Sequence, residues 1–119
     1  MNIEIFEEID STNEYLKRQK DNKNYDIVMA HKQTKGKGTR GRVWLSTEGI
    51  LMFSMVIKED KNISMEEYTK LPLVVGMALL SALEEIEKLP FMFKWTNDIY
   101  LYDKKLSGIL TEKIGEDFI

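Results

Sequence analysis

Phe91-Met92-Phe93-Lys94-Trp95, Ile99-Tyr100-Leu101-Tyr102 and Leu106-Ser107-Gly108-Ile109-Leu110-Thr111-Glu112-Lys113 are largely apolar runs separated only by Thr96-Asn97-Asp98 and Asp103-Lys104-Lys105. Connections this short and polar join antiparallel strands, because a parallel return needs a crossover of about a dozen residues or more. The stretch reads as three hairpin-linked strands. Upstream, Ile3–Phe6 reads as a short strand, Tyr25–His31 as a buried one through Ile27, Val28, Met29 and Ala30, and Ile50–Lys58 as the strongest strand candidate. Strands outnumber helices and most neighbours can pair locally. The predicted class is α+β, a mixed, mainly antiparallel sheet with helices packed on one face.

Ser11-Thr12-Asn13-Glu14 and Ser64-Met65-Glu66-Glu67 have the S-x-x-E form of a capping box. They predict a helix over Thr12–Lys20 and a short helix that breaks or kinks at Pro72. A longer helix follows over Leu73–Lys88, with Val74, Met77, Ala78, Ser81, Ala82 and Leu83 as its inward side. No repeat or Pro/Gly/Ser linker divides the 119 residues, so residues 1–119 read as one domain.

Seventeen Lys+Arg against 20 Asp+Glu give a formal net charge of -3, which argues against general affinity for nucleic acid or anionic lipid. With no cysteine and His31 alone, disulfides and thiolate metal sites are excluded, and little remains for a metal centre. Ile50–Ile57, broken by Ser54, is too short to span a bilayer, and Met-Asn-Ile-Glu is no signal-peptide start. The expectation is a soluble cytoplasmic protein with no membrane partner.

Four stretches could carry chemistry. Lys35 to Arg42 places Gly36, Gly38 and Gly41 among Lys35, Lys37, Arg40 and Arg42, so backbone amides and positive charge can converge on a phosphate or carboxylate. Neither a P-loop nor a dinucleotide fingerprint fits, because Trp44 and a turn follow where a helix should. A solvated, mobile surface loop is the alternative. Lys94, where an apolar strand meets the turn Thr96-Asn97-Asp98, offers a fixed counter-charge; a plain hairpin with an exposed lysine is the alternative. Gly108 inside a strand marks close approach of a ligand or, more simply, a β-bulge. Ser11-Thr12-Asn13 could bind a small polar ligand, although capping already explains Ser11.

In order and spacing these stretches resemble the signature segments of the biotin protein ligase catalytic domain: S-T-N, Q-x-x-G-[RK]-G-x-x-x-R-x-W, K-W-P-N-D and K-x-x-G-[IL]-L-x-E. Here they read Ser11–Asn13, Gln33–Trp44, Lys94–Asp98 and Lys105–Glu112. The resemblance implies a class II aminoacyl-tRNA synthetase-like fold. It also implies an enzyme that joins biotin and MgATP into biotinyl-5'-AMP and passes biotin to a lysine of a biotin carboxyl carrier protein domain. Two anions, the biotin carboxylate and the α-phosphate, must then be held together by fixed cations and amides.

By that resemblance Ser11, Thr12, Asn13, Gln33, Lys37, Gly38, Thr39, Lys94 and Gly108 bind biotin. Arg40, Arg42, Trp44, Asn97 and Asp98 serve the nucleotide, and Lys94, Arg40 and Lys105 are the catalytic cations, with no metal ligand firmly assigned. Thr39 stands where many bacterial members carry arginine, which implies freer release of the adenylate. Thr96 replaces the proline of K-W-P-N-D. A non-catalytic biotin- or adenylate-binding fragment and a lipoate-ligase-like enzyme are the competing readings. The family's domain continues past Ile119, so the chain reads as its N-terminal portion, without the DNA-binding domain or C-terminal β-barrel of some members and hence without DNA as a partner. Leu106–Lys113 is then expected to be an unpaired edge open to self-association.

Overall fold

A computed structural model describes residues 1–119. In chain order it contains β1 (Ile3–Ile9), α1 (Thr12–Arg18), β2 (Ile27–Gln33), a single 3-10 turn at Thr39–Gly41 and β3 (Met52–Met55). These are followed by α2 (Met65–Tyr68), α3 (Leu71–Ile86), β4 (Phe91–Lys94), β5 (Asp98–Leu101), β6 (Lys104–Gly108), β7 (Lys113–Ile114) and β8 (Asp117–Phe118). The architecture is α+β with mainly antiparallel pairing, spread over sheets β1–β2–β3, β4–β5–β6 and β7–β8. The chain divides into two compact units, Met1–Asp60 with Glu112–Ile119, and Lys61–Thr111.

In the first unit β1 runs parallel to β2, from Ile3↔Ile27 to Ile9↔Gln33, and β3 lies antiparallel on the far side of β2. The parallel pairing extends β1 beyond the expected Phe6, since Glu8 and Ile9 find partners in Lys32 and Gln33. α1 is the crossover between the parallel strands and packs on β2 and β3. Its Leu16 joins Val28, Val56 and Ile119 in the core, with Phe6 and Tyr15 alongside, their rings 4.9 Å apart. The helix ends earlier than expected, at Arg18, where Gln19 N–H and the Asn22 side-chain amide both donate to the Leu16 carbonyl. Only half of the first capping box forms. Ser11 Oγ accepts from Glu14 N–H, but the Glu14 carboxylate turns to lysines, and Ser11 N–H donates to Asp10 Oδ1 instead.

In the second unit α2 carries the complete capping box of Ser64 and Glu67. Pro72 sits in the first turn of α3, where its missing N–H leaves no helical bond unmade. α3 packs on β4 and β5, but with a different face from the expected one: Gly76 is buried and Leu73, Leu80 and Leu83 are half-buried, while Val74, Met77, Ala78, Ser81 and Ala82 are exposed. A Cβ on Gly76 would come within 2.2 Å of the Phe93 ring, so the helix approaches β4 at this glycine. Tyr102 and Asp103 both have positive φ, as a two-residue type I′ turn requires, and tie β5 to β6.

The expected strand Leu106–Lys113 is not one element. β6 ends at Gly108, Glu112 exchanges both backbone hydrogen bonds with Ile119, and β7 turns back onto β8 through Gly115. The exposed edge shrinks to β6, whose Lys104 and Lys105 are residues that blunt edge pairing. The register irregularity opposite Ile99 and Tyr100 skips Leu106, so the bulge lies there and not at Gly108, which pairs with Asp98.

Candidate functional site

Ser11, Thr12 and Asn13, all buried, open α1 beside Gln33 at the end of β2 and Ser54 in β3. Thr12 donates from N–H (2.8 Å) and Oγ1 (3.1 Å) to Gln33 Oε1, and Thr12 Oγ1 lies 2.7 Å from Ser54 Oγ. Ser54 Oγ donates to Asn13 Oδ1, and Asn13 Nδ2 donates to Glu112 Oε1 at 3.2 Å. Gln33 is fixed further by Ser46, which takes its N–H and bonds its carbonyl. No buried side-chain polar atom lacks a partner. Of the expected biotin residues, Thr12, Asn13 and Gln33 are therefore joined in one network, and Ser11 is the helix cap.

From Glu112 the network becomes ionic: Lys17 bonds Glu112 and Glu14, and Glu14 also holds Lys37 at 2.9 Å. Lys37, and then Lys17, draw the Glu14 carboxyl below its ordinary pKa. Burial opposes the charged form of Lys17, yet Glu112 and Glu14 together carry its pKa upward.

The basic glycine stretch is a hairpin. Trp44 N–H bonds the Gly36 carbonyl at 2.9 Å, Lys37 bridges Val43, and Gly38 N–H bonds the Arg42 carbonyl at 2.7 Å. Arg40 (φ 57°) and Gly41 (φ 72°) form the left-handed tip, and Arg42 N–H bonds back to Thr39. At the base, a Cβ on Gly36 would lie 2.6 Å from the Trp44 carbonyl oxygen, so only glycine lets the two arms meet. Arg40 and Arg42 are exposed, while Thr39 and Trp44 are half-buried.

In the second unit the register of β4–β5–β6 assembles the other candidates. Lys94 pairs with Asp98, and Asp98 pairs with Gly108. Lys94 Nζ stands 4.3 Å from the centre of the Tyr100 ring, and Lys105 Nζ lies 3.1 Å from Asp98 Oδ1. Asn97 clamps Ile109 from two sides, Nδ2 donating to its carbonyl and its own carbonyl accepting the Ile109 N–H. Lys94, Asn97, Asp98, Lys105 and Gly108 are thus neighbours on one small sheet. The geometry can present two ammonium groups, one over an aromatic face and one against a carboxylate, to an anion.

Sequence reasoning missed Ser54, Lys17, Glu14 and Tyr100, and gave no role to Glu112 at the end of the fourth motif segment. Ser54 had a signal, as the one polar break in an apolar run; the charged residues became partners only through long-range folding. No group of three or more His, Cys, Asp or Glu could hold a metal, and no helix is long and apolar enough to cross a membrane.

The chain is a mixed α+β protein that carries strand-registered lysines and a cationic glycine hairpin. Residues 5–119 match the model of the Biotin/lipoate A/B protein ligase family. The bifunctional ligase/repressor BirA of Salmonella typhimurium is 36% identical over 117 residues, covering 97% of this chain and 36% of that protein. The biotin protein ligase of Aquifex aeolicus, solved with biotin and ATP, is 41% identical with a TM-score of 0.85, over 98% of this chain and 49% of that one. The Leishmania major ligase solved with biotinyl-5-AMP has a TM-score of 0.86 at 29% identity, over 98% and 54%. The chain belongs to the biotin/lipoate A/B protein ligase family, and it spans roughly a third to a half of the relatives it matches.

Proposed function

We propose that this chain carries out the biotin- and ATP-handling chemistry of a biotin protein ligase. A biotin carboxylate oxygen attacks the α-phosphorus of ATP, pyrophosphate leaves, and biotinyl-5'-AMP forms. A carrier-protein lysine amine then attacks the mixed anhydride, AMP leaves, and the amine loses a proton. The observation that carries this reading is the likeness, over nearly the whole chain, to a ligase solved with biotin and ATP.

The division of labour follows the chemistry of each set of residues. Thr12, Asn13 and Gln33, with Ser11 at the cap, suit an uncharged head group that needs donors and acceptors; Lys37, Gly38 and Thr39 frame it from the hairpin, and Gly108 serves biotin from β6. Lys94 is the principal cation for the carboxylate and α-phosphate, with Arg40 and Lys105 as further cations. Arg42, Trp44, Asn97 and Asp98 complete the nucleotide set. Asn97 does so as a clamp on the strand ends, since its amide is engaged with Ile109. Magnesium is read as accompanying the nucleotide as co-substrate, where one or two carboxylates beside the phosphates suffice to hold it.

Biotin-dependent exchange of labelled pyrophosphate into ATP by the purified chain tests this directly. Exchange above the biotin-free background is the expected result. Biotin binding by calorimetry without exchange would instead favour a non-catalytic binding role.

A further inference from the structure

We infer that Tyr100 is a positioning residue that holds the Lys94 ammonium in place without neutralising it; the inference rests on Lys94 as the activating cation proposed above. The register of the small sheet sorts its side chains. Lys94 pairs with Asp98 and Met92 with Tyr100, so strand alternation sets these four on one face. Phe93 and Ile99 fall on the other, where Phe93 meets Gly76 of α3. Lys94 and Tyr100 are diagonal neighbours on the face away from α3, a spacing that a long and an aromatic side chain can bridge. Lys94 Nζ stands 4.3 Å from the ring centre, within the range of a cation–π contact.

The choice of partner decides what the lysine can still do. Asp98, which pairs with Lys94 in register, has its carboxylate bonded to Lys105 at 3.1 Å, and Lys94 forms no ion pair. A carboxylate on Lys94 would cancel its charge and have to be displaced by an incoming anion. A ring face cancels nothing. The attraction comes from the ring quadrupole, so the ammonium keeps its full charge, and its N–H groups turned away from the ring stay free to donate. The ring also narrows the rotamers of a flexible four-carbon stem, which otherwise must be frozen when the anion binds. The Tyr100 hydroxyl bonds no protein group, so the ring carries the role.

The test compares the full chain with Tyr100→Leu and Tyr100→Phe, by biotin-dependent pyrophosphate exchange and by the proton NMR shift of the Lys94 ε-methylene. The ring current is expected to move that signal upfield in the full chain and in Tyr100→Phe, and not in Tyr100→Leu. Exchange is expected to fall about two- to fivefold in Tyr100→Leu, the value of an exposed cation–π contact, and to be restored by Tyr100→Phe. If Tyr100→Leu does not fold, Tyr100→Met, also without a ring, takes its place with the same expectation. Full exchange in a folded ringless variant, an equal loss in Tyr100→Phe, or no upfield shift in the full chain overturns the assignment while the biotin reading stands. Failure of both ringless variants to fold makes Tyr100 merely structural and also overturns it. No exchange by the unaltered chain removes the activating role of Lys94 and this inference together.

Discussion

At the start of α1, Ser11, Thr12 and Asn13 are 2, 4 and 9% exposed and answer one another through Gln33, Ser54 and Glu112. On β4–β5–β6, Lys94 is exposed and is oriented by strand register and the Tyr100 face. The first arrangement uses burial, so deleting one partner strands another in a dry environment, at about 1–3 kcal/mol for a neutral group. The second uses charge near water, where a lysine contributes little to stability and can be committed to a ligand. On the proposed reading, the groups that recognise biotin would thus be structural, whereas the cation that activates it would be separable from the fold.

Lys94→Ala should break that contrast most visibly. Adenylate formation is expected to fall by about 10²–10³-fold or more, as for loss of one electrostatic stabiliser, with the melting temperature unchanged. Pyrophosphate exchange and a thermal melt decide it, and a variant that turns over normally removes Lys94 from the chemistry. Gly76→Ala probes the support of the same sheet. The new methyl meets Phe93, so a loss of about 1–3 kcal/mol is expected by denaturant unfolding even though alanine favours helices. An unchanged midpoint would mean that α3 and β4 can separate freely.

The smallest effect belongs to Asp10, at the foot of α1. Arg18, with the Ser11 N–H, holds its carboxyl down to about 2 from 3.8. A depressed carboxyl stabilises the fold above pH 3.8, and this contribution disappears as pH falls towards about 2. Asp10→Asn should flatten the acid limb of stability in that window, as read by thermal melts at stepped pH. The effect is small because the pair is exposed and screened. A limb as steep as in the unaltered chain would assign acid sensitivity to other carboxylates.

How much of this could be read from residues alone varied with the range of the interactions. Local signals carried the α+β class, the Ser64 capping box, the Pro72 boundary and the short hairpin that follows Lys94. The length of β1 was hidden because its last residues are strand only through parallel pairing with β2. α3 misled because apolar residues line more than one of its faces, and the deciding contact was Gly76 on Phe93, which no periodicity reveals. The box at Ser11 failed for a related reason: Lys17 and Lys37 captured the Glu14 carboxylate. Around the candidate site, the four motif segments were visible, but Ser54 and Glu112 gained their partners from residues about 40 and 100 positions away.

The glycine hairpin has a consequence for the entropy of enclosing a ligand. Its ladder runs from Gly36 and Trp44 up to Gly38 and Arg42, leaving the 3 residues Thr39–Gly41 outside it. Fixing backbone costs about 1–2 kcal/mol per residue at room temperature. Because the arms are already ordered, an anion held there as proposed would have only that short tip to immobilise, and more of its attraction to Arg40 and Arg42 would survive as affinity.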